Sequence, residues 1–470
     1  MRRFIALFIS YILLISFTLT SCGSSKGAVN NTSVPSTKAT VKPKPTVKPK
    51  PTDDPNVKVI KIASRQEEEF RLIKKFKELH PDFPYEIEQS LNDRTGMYFY
   101  YLGPAVEASD ESSPDIYLVD ESEAAKYTQG DYSSYAADYR DLGLDVDTLM
   151  KEADIAPYIV DVGTRGDGSI VGLGLESGVG GFFYRRSIAT EVWGTDDPKE
   201  IKKKIGGSWE NFFKAAEDLK AKGYGIVSAN EDLWYVVEDN ADQSWVVDGK
   251  LTIDPKREAF LDLSKKLKDN GYTNDTQKWT DAWYADMAGT GAKEIFGYFD
   301  PYWSASYMLP SHCGGTKVGE GTYGDWAVCE PTLPFSWGGT RVLVNKNTKV
   351  PNAVGEIVKW MTLDTSETGL QSLMANGTLK EDDSIKDAVS SLRVMEKSEC
   401  SLDILNGQNI FEVFTPVSRL VNGKNVTQYD ESIKCYWLNE VHAYKDGIKT
   451  REQAIQDFKN TVKKGLEITE

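Results

Sequence analysis

Apolar and polar positions along this chain alternate in two periods. Residues 57–63 (Val57 to Ala63) read as a strand, and Phe70, Ile73 and Phe76 then fall on one side of a helix from Glu67 to Leu79. Asp115-Ile116-Tyr117-Leu118-Val119-Asp120 is a short apolar run bounded by acids, which predicts a buried strand. Ser208 can cap a helix carrying Phe212, Ala215, Ala216 and Leu219 on its inner face, closed by Gly223. Val354, Ile357, Val358 and Met361 share a face of another helix. Thr450 and Gln453 form a capping box for a last helix with Ile455, Phe458 and Val462 inward and Gly465 at its end. Strands alternating with helices predict an α/β protein with mainly parallel sheets. No repeat of roughly 20 to 50 residues marks a solenoid.

The N-terminal pattern is different. Arg2 and Arg3 precede an apolar run from Phe4 to Leu19, long enough for the core of a signal peptide and short for a spanning helix. The string Leu19-Thr20-Ser21-Cys22 resembles the bacterial lipobox. The resemblance implies a signal peptide over residues 1–21 and a diacylglyceryl thioether on Cys22. Two acyl chains hold a protein stably, since each buried methylene contributes about 0.8 kcal/mol. Residues 22–56 contain the near-repeat Val41-Lys42-Pro43-Lys44-Pro45-Thr46 and Val47-Lys48-Pro49-Lys50-Pro51-Thr52. Proline this dense favours an extended polyproline tether.

Charge narrows the partners. Residues 1–57 hold eight Lys/Arg and two Asp/Glu, a net of +6, so the remaining 413 residues carry −22 of the overall −16. A folded part this acidic is a poor fit for nucleic acid or anionic lipid. Eleven Trp are more than a core of this size needs, and some are expected to line a site for flat apolar faces such as sugar rings. Four cysteines lie beyond the anchor, Cys313, Cys329, Cys400 and Cys435, and they allow three pairings; Cys313 with Cys329 is the expected one. No CxxC occurs, and His80, His312 and His442 are far apart in sequence, which disfavours a zinc site and a Ser-His hydrolase. No cofactor or metal is expected.

The enzyme templates fail: there is no His-Glu-x-x-His, Gly-x-Ser-x-Gly or Walker loop. Pairs of carboxylates such as Asp239 and Asp242 say little among 71 acidic residues. What stands out is acids and aromatics placed just after apolar runs. Asp120 ends one run, although Glu123 three residues on also makes it a candidate N-cap; Glu176 follows Ile170 to Leu175. Asp300, Tyr302 and Trp303 end a third run, and Trp337 a fourth. Carboxylates accept hydrogen bonds from sugar hydroxyls, and indoles stack on sugar faces.

The order of these stretches resembles the extracellular family 1 solute-binding proteins, the substrate-binding lipoproteins of carbohydrate ABC importers. The carrying segments are PDIYLVD (114–120), GLGLESGVGGFFYRR (172–186), WENFF (209–213), the run from Phe296 through Trp326 to Trp337-Gly338-Gly339-Thr340, and Val344 to Met361. The resemblance implies a two-lobed, periplasmic-binding-protein-like fold of type II, with a cleft between lobes and hinge crossovers near Leu173–Glu176 and Pro334–Thr340. Lobe 1 would hold residues 57–174 plus 337–385, and lobe 2 residues 175–336 plus 386–470. It implies a monomer that does no chemistry but captures an oligosaccharide and delivers it to ABC permease subunits. The expected address is the outer face of the cytoplasmic membrane in a Gram-positive type cell. The ligand contacts it implies are Arg65, Gln66, Asp120, Glu176, Asp232, Trp234, Asp300, Tyr302, Trp303 and Trp337. FDPYW departs from the commoner Gly-Pro-x-Trp by placing Asp300 where the family has glycine. The rival reading is a secreted glycan-degrading or glycan-scaffolding lipoprotein.

Overall fold

Eight strands build the two larger sheets, one per lobe, beside two short two-stranded ladders, in a computed structural model whose described residues are 50–93, 96–110, 112–379 and 386–470. The signal peptide, Cys22 and residues 22–49 of the tether lie outside the described residues. The strands are β1 (Val59–Ala63), β2 (Glu86–Leu91), β3 (Ile116–Asp120), β4 (Gly172–Gly174), β5 (Gly180–Arg185), β6 (Gly297–Pro301), β7 (Trp326–Cys329) and β8 (Thr340–Val344).

The first sheet has the order β2-β1-β3-β8-β4. Its first three strands are parallel, and β8 runs antiparallel to both β3 and β4. Both faces are covered, so β3 is apolar from Ile116 to Val119 rather than alternating. Ile116 and Leu118 point into a core with Phe70, Ile73, Phe76, Val354 and Ile357 from the helices Glu67–Leu79 and Pro351–Thr362. Tyr117 and Val119 point the other way, against Tyr98, Leu102, Val106 and Tyr127. Each such aliphatic side chain, fully buried, contributes about 1.5–3 kcal/mol.

The second sheet, β6-β5-β7, is antiparallel throughout. The expected mainly parallel arrangement therefore holds only for β1, β2 and β3. A parallel neighbour needs a crossover of about a dozen residues. Only Leu175–Val179 separate β4 from β5, so the chain passes straight into the other lobe instead.

The other periodic segments fold where the pattern placed them. Ser208 Oγ caps Trp209–Ala221, and the Thr450–Gln453 capping box starts Arg451–Leu466. Gly465 lies inside that helix; a Cβ there would meet the Tyr436 hydroxyl at 2.5 Å. The last residues of the segment read as tether are docked: Asp53 accepts the N–H groups of Asn352 and Ala353 at 2.8 and 3.1 Å, capping Pro351–Thr362.

The expected Cys313–Cys329 disulfide is not formed; both are free thiols. Alternation on β7 explains this. Trp326 and Val328 face the core that holds Cys313, whereas Ala327 and Cys329 face the opposite core with Phe182 and Phe212. The sheet stands between the two sulfurs.

Candidate ligand-binding site

Three backbone segments run side by side between the sheets. Trp337 donates its N–H to Gly178 O at 2.7 Å, and Leu175 to Thr340 O at 2.8 Å. Ser177 donates to Ala388 O at 3.0 Å, and Ser390 Oγ to Glu176 O at 3.1 Å. The contact is close enough to require glycine: a Cβ on Gly178 would lie 2.0 Å from Gly338 O. Gly338 and Gly339 turn there with φ of 80° and 110°.

Around these crossings the structure gathers Glu176, Tyr302, Trp303 and Trp337. Tyr302, in the 3-10 turn after β6, donates its hydroxyl to Glu176 Oε2 at 3.1 Å. Trp303 Nε1 donates to Trp337 O at 3.2 Å. Burial first, then the Asp387 carboxylate, raises the pKa of Glu176; burial does the same to Asp387. One buried oxygen of Asp387, Oδ1, has no hydrogen-bond partner.

On the lobe 1 side Arg65 pairs with Asp120 at 3.2 Å. Asp120 also accepts Ser122 N at 3.0 Å, so it is the cap of its helix. Gln66 stands exposed at the start of its helix, its N–H donating to Glu69 Oε2 at 3.0 Å. Glu69 is buried nearby, with its pKa raised by desolvation.

Trp234, expected to touch ligand, does not reach the cleft. It is 1% exposed and sits in the lobe 2 core against Trp245 and Phe260. One residue on, a helical turn of about 100° brings Tyr235 out instead. Tyr235 stacks on Trp337, with ring centroids 4.6 Å apart and planes 16° apart.

Asp232 and Asp300, also expected to touch ligand, are buried instead, each 1% exposed. Asp232 Oδ2 accepts Ser228 N and Ala229 N at 3.1 and 2.9 Å, and Oδ1 accepts Trp283 Nε1 at 3.2 Å. Asp300 accepts Ser304 Oγ at 3.0 Å. Lys278 stands between the two acids, 3.6 Å from Asp232 and 3.5 Å from Asp300. Burial pushes Asp232 up to about 7 against the pull of Lys278.

Sequence reasoning missed Tyr235, Lys278 and Trp279. Trp279 and Trp303 are near-parallel, 6.4 Å apart at 13°, and Trp337 stands across both at 72° and 66°. Trp279 adopts a left-handed φ of 69°, a costly backbone for an L-residue that concentrates at functional sites. Two adjacent aromatics, Trp234-Tyr235, were the available signal for Tyr235. Nothing local marks Lys278-Trp279. Among the described residues no three His, Cys, Asp or Glu gather as a metal site.

The family described as bacterial extracellular solute-binding protein matches residues 71–378. The chain belongs to that family. Solved structures share the fold of this solute-binding protein at low sequence identity. One, described as an extracellular solute-binding protein family 1, has a TM-score of 0.69 at 17% identity, covering 86% of this chain and 99% of the other. The galacto-N-biose/lacto-N-biose I-binding protein of the Bifidobacterium longum ABC transporter, in complex with lacto-N-biose, has a TM-score of 0.62 at 17% identity over 89% and 100% of the two chains. The GacH receptor of Streptomyces glaucescens, solved unliganded and with acarbose, has a TM-score of 0.61 at 14% identity over 88% and 100%. No curated protein sequence matches the chain. The family is extracellular, and among the described residues no helix is long and apolar enough to cross a membrane.

Proposed function

We propose that this solute-binding protein captures an oligosaccharide in the cleft between its lobes and delivers it to the permease subunits of an ABC importer. The observation that carries this is the wall of Tyr235, Trp279, Trp303 and Trp337 beside the carboxylates Asp120 and Glu176. Aromatic faces take the C–H faces of a pyranose, and carboxylates accept its hydroxyls. Binding draws the lobes together about the three crossing segments. In the same proposal Cys22 carries the lipid, which keeps the receptor at the outer face of the membrane beside its permease.

Isothermal titration against lacto-N-biose, acarbose and short gluco- and xylo-oligosaccharides tests the ligand class. Saturable heat with at least one is expected. Heat only with peptides or polyamines would overturn it. Labelling with radioactive palmitate tests the anchor: incorporation is expected in the wild type and lost in Cys22→Ala.

A further inference from the structure

The aromatic wall is assembled from segments distant in sequence, and one buried ion triad touches all of them. Asp232 lies three residues before Tyr235, Lys278 immediately before Trp279, and Asp300 three residues before Trp303. The three charged groups meet at 3.5 and 3.6 Å. Trp337 is reached directly: Lys278 Nζ lies 4.2 Å from its ring centroid, a close cation–π contact. The same ammonium lies 5.6 Å from the Trp283 ring, whose Nε1 donates to Asp232.

We propose that Lys278 is the positioning residue of the ligand-binding wall, holding Trp279, Trp303 and Trp337 in their mutual geometry without touching the ligand itself. The saccharide-binding part of this rests on the function proposed above. A lysine that is 7% exposed is rarely placed where a leucine or methionine would pack. Replacing a buried pair by apolar groups often keeps or raises stability, so stability alone does not account for the charge here. What the triad supplies is direction. Ammonium, carboxylates and the Trp337 face fix one another from different segments. Lys278 directly precedes the left-handed backbone of Trp279, so fixing its ammonium constrains where that strained residue starts. Tyr235 and Lys278 both lie against the Trp337 ring, so the ammonium and the stacked pair together set its orientation.

The test is Lys278→Met in the full chain, with far-UV and near-UV circular dichroism, thermal melting, and titration with lacto-N-biose and acarbose. Unchanged far-UV spectra, a cooperative melt and loss of most of the near-UV band of the coupled indoles are expected. Affinity for whichever of these two sugars the wild type binds is expected to fall about tenfold, and Lys278→Met/Trp337→Phe to lose no more than the worse single variant, because the two act as a unit. An unchanged near-UV band, or additive losses in the double variant, would overturn the proposal. If Lys278→Met does not fold, Asp300→Asn is read in its place: it leaves Lys278 one carboxylate and is expected to weaken the same band, and an unchanged band overturns the proposal. The near-UV arm needs no ligand, so a wild type that binds neither sugar counts against the proposed function, while the band still decides the positioning role of Lys278.

Discussion

The hydroxyl of Tyr302 donates to Glu176 Oε2 at 3.1 Å, tying the turn after β6, an edge strand of the lobe 2 sheet, to the first segment that crosses between lobes. The bond links the aromatic cluster at Trp303 to the crossing segments, because Trp303 follows Tyr302 and Ser177 follows Glu176. Tyr302→Phe removes the donor and leaves the half-buried Glu176 carboxyl group short of a partner. It is expected to weaken saccharide binding and to lower stability by about 1–3 kcal/mol, read by titration and by urea unfolding.

Trp303 and Trp234 should part company. Trp303→Ala is expected to reduce sugar affinity about tenfold or more, by loss of stacking, with a smaller effect on the melt. Trp234→Ala empties a core position and is expected to cost about 3–5 kcal/mol of stability, while the affinity of the folded fraction stays near wild type. Paired titration and denaturant curves check both.

Stability is expected to fall as pH rises from the acid range to about 8. Burial pushes Asp232 up from 3.8 to about 7, and it pushes Asp239, which accepts the N–H and hydroxyl of Ser336, up from 3.8 to about 8. Between 3.8 and those values the folded protein holds protons that the unfolded chain has released. Their contribution is therefore complete below 3.8 and is lost as pH passes through the folded values. Melting temperatures across this range check the slope, and Asp239→Asn is expected to flatten its upper part.

Peptide mapping without reductant is expected to show no linkage between Cys313 and Cys329, which face opposite cores. Cys329 should also resist alkylation in the native state, since burial raises its thiol pKa far above the ordinary value.

Gly178→Ala would place a methyl against the Gly338 carbonyl at a crossing. A loss of about 1–3 kcal/mol is expected from the forced shift, measurable by thermal unfolding.

The sequence by itself determined the elements whose causes are local. The Glu67–Leu79 helix, the Ile116–Asp120 strand and the caps at Ser208 and Thr450 follow from periodicity and from side chains that bond within three residues. Glu176, Tyr302, Trp303 and Trp337 were legible as acids and aromatics at the ends of apolar runs. Only the tertiary structure decided which of two adjacent aromatics faces the cleft, because Trp234 and Tyr235 differ by one helical step and a lobe core claims the larger ring. The same holds for Asp232, which the resemblance placed on the ligand, and Asp300, which the pattern placed there; both are buried beside a lysine 46 residues from one and 22 from the other. The pairing of β8 against β3, and the separation of the two cysteines by a sheet, are likewise set by contacts between segments far apart in the chain. Local patterns record what a residue does to its own turn; they hold no record of which distant segment will be packed against it.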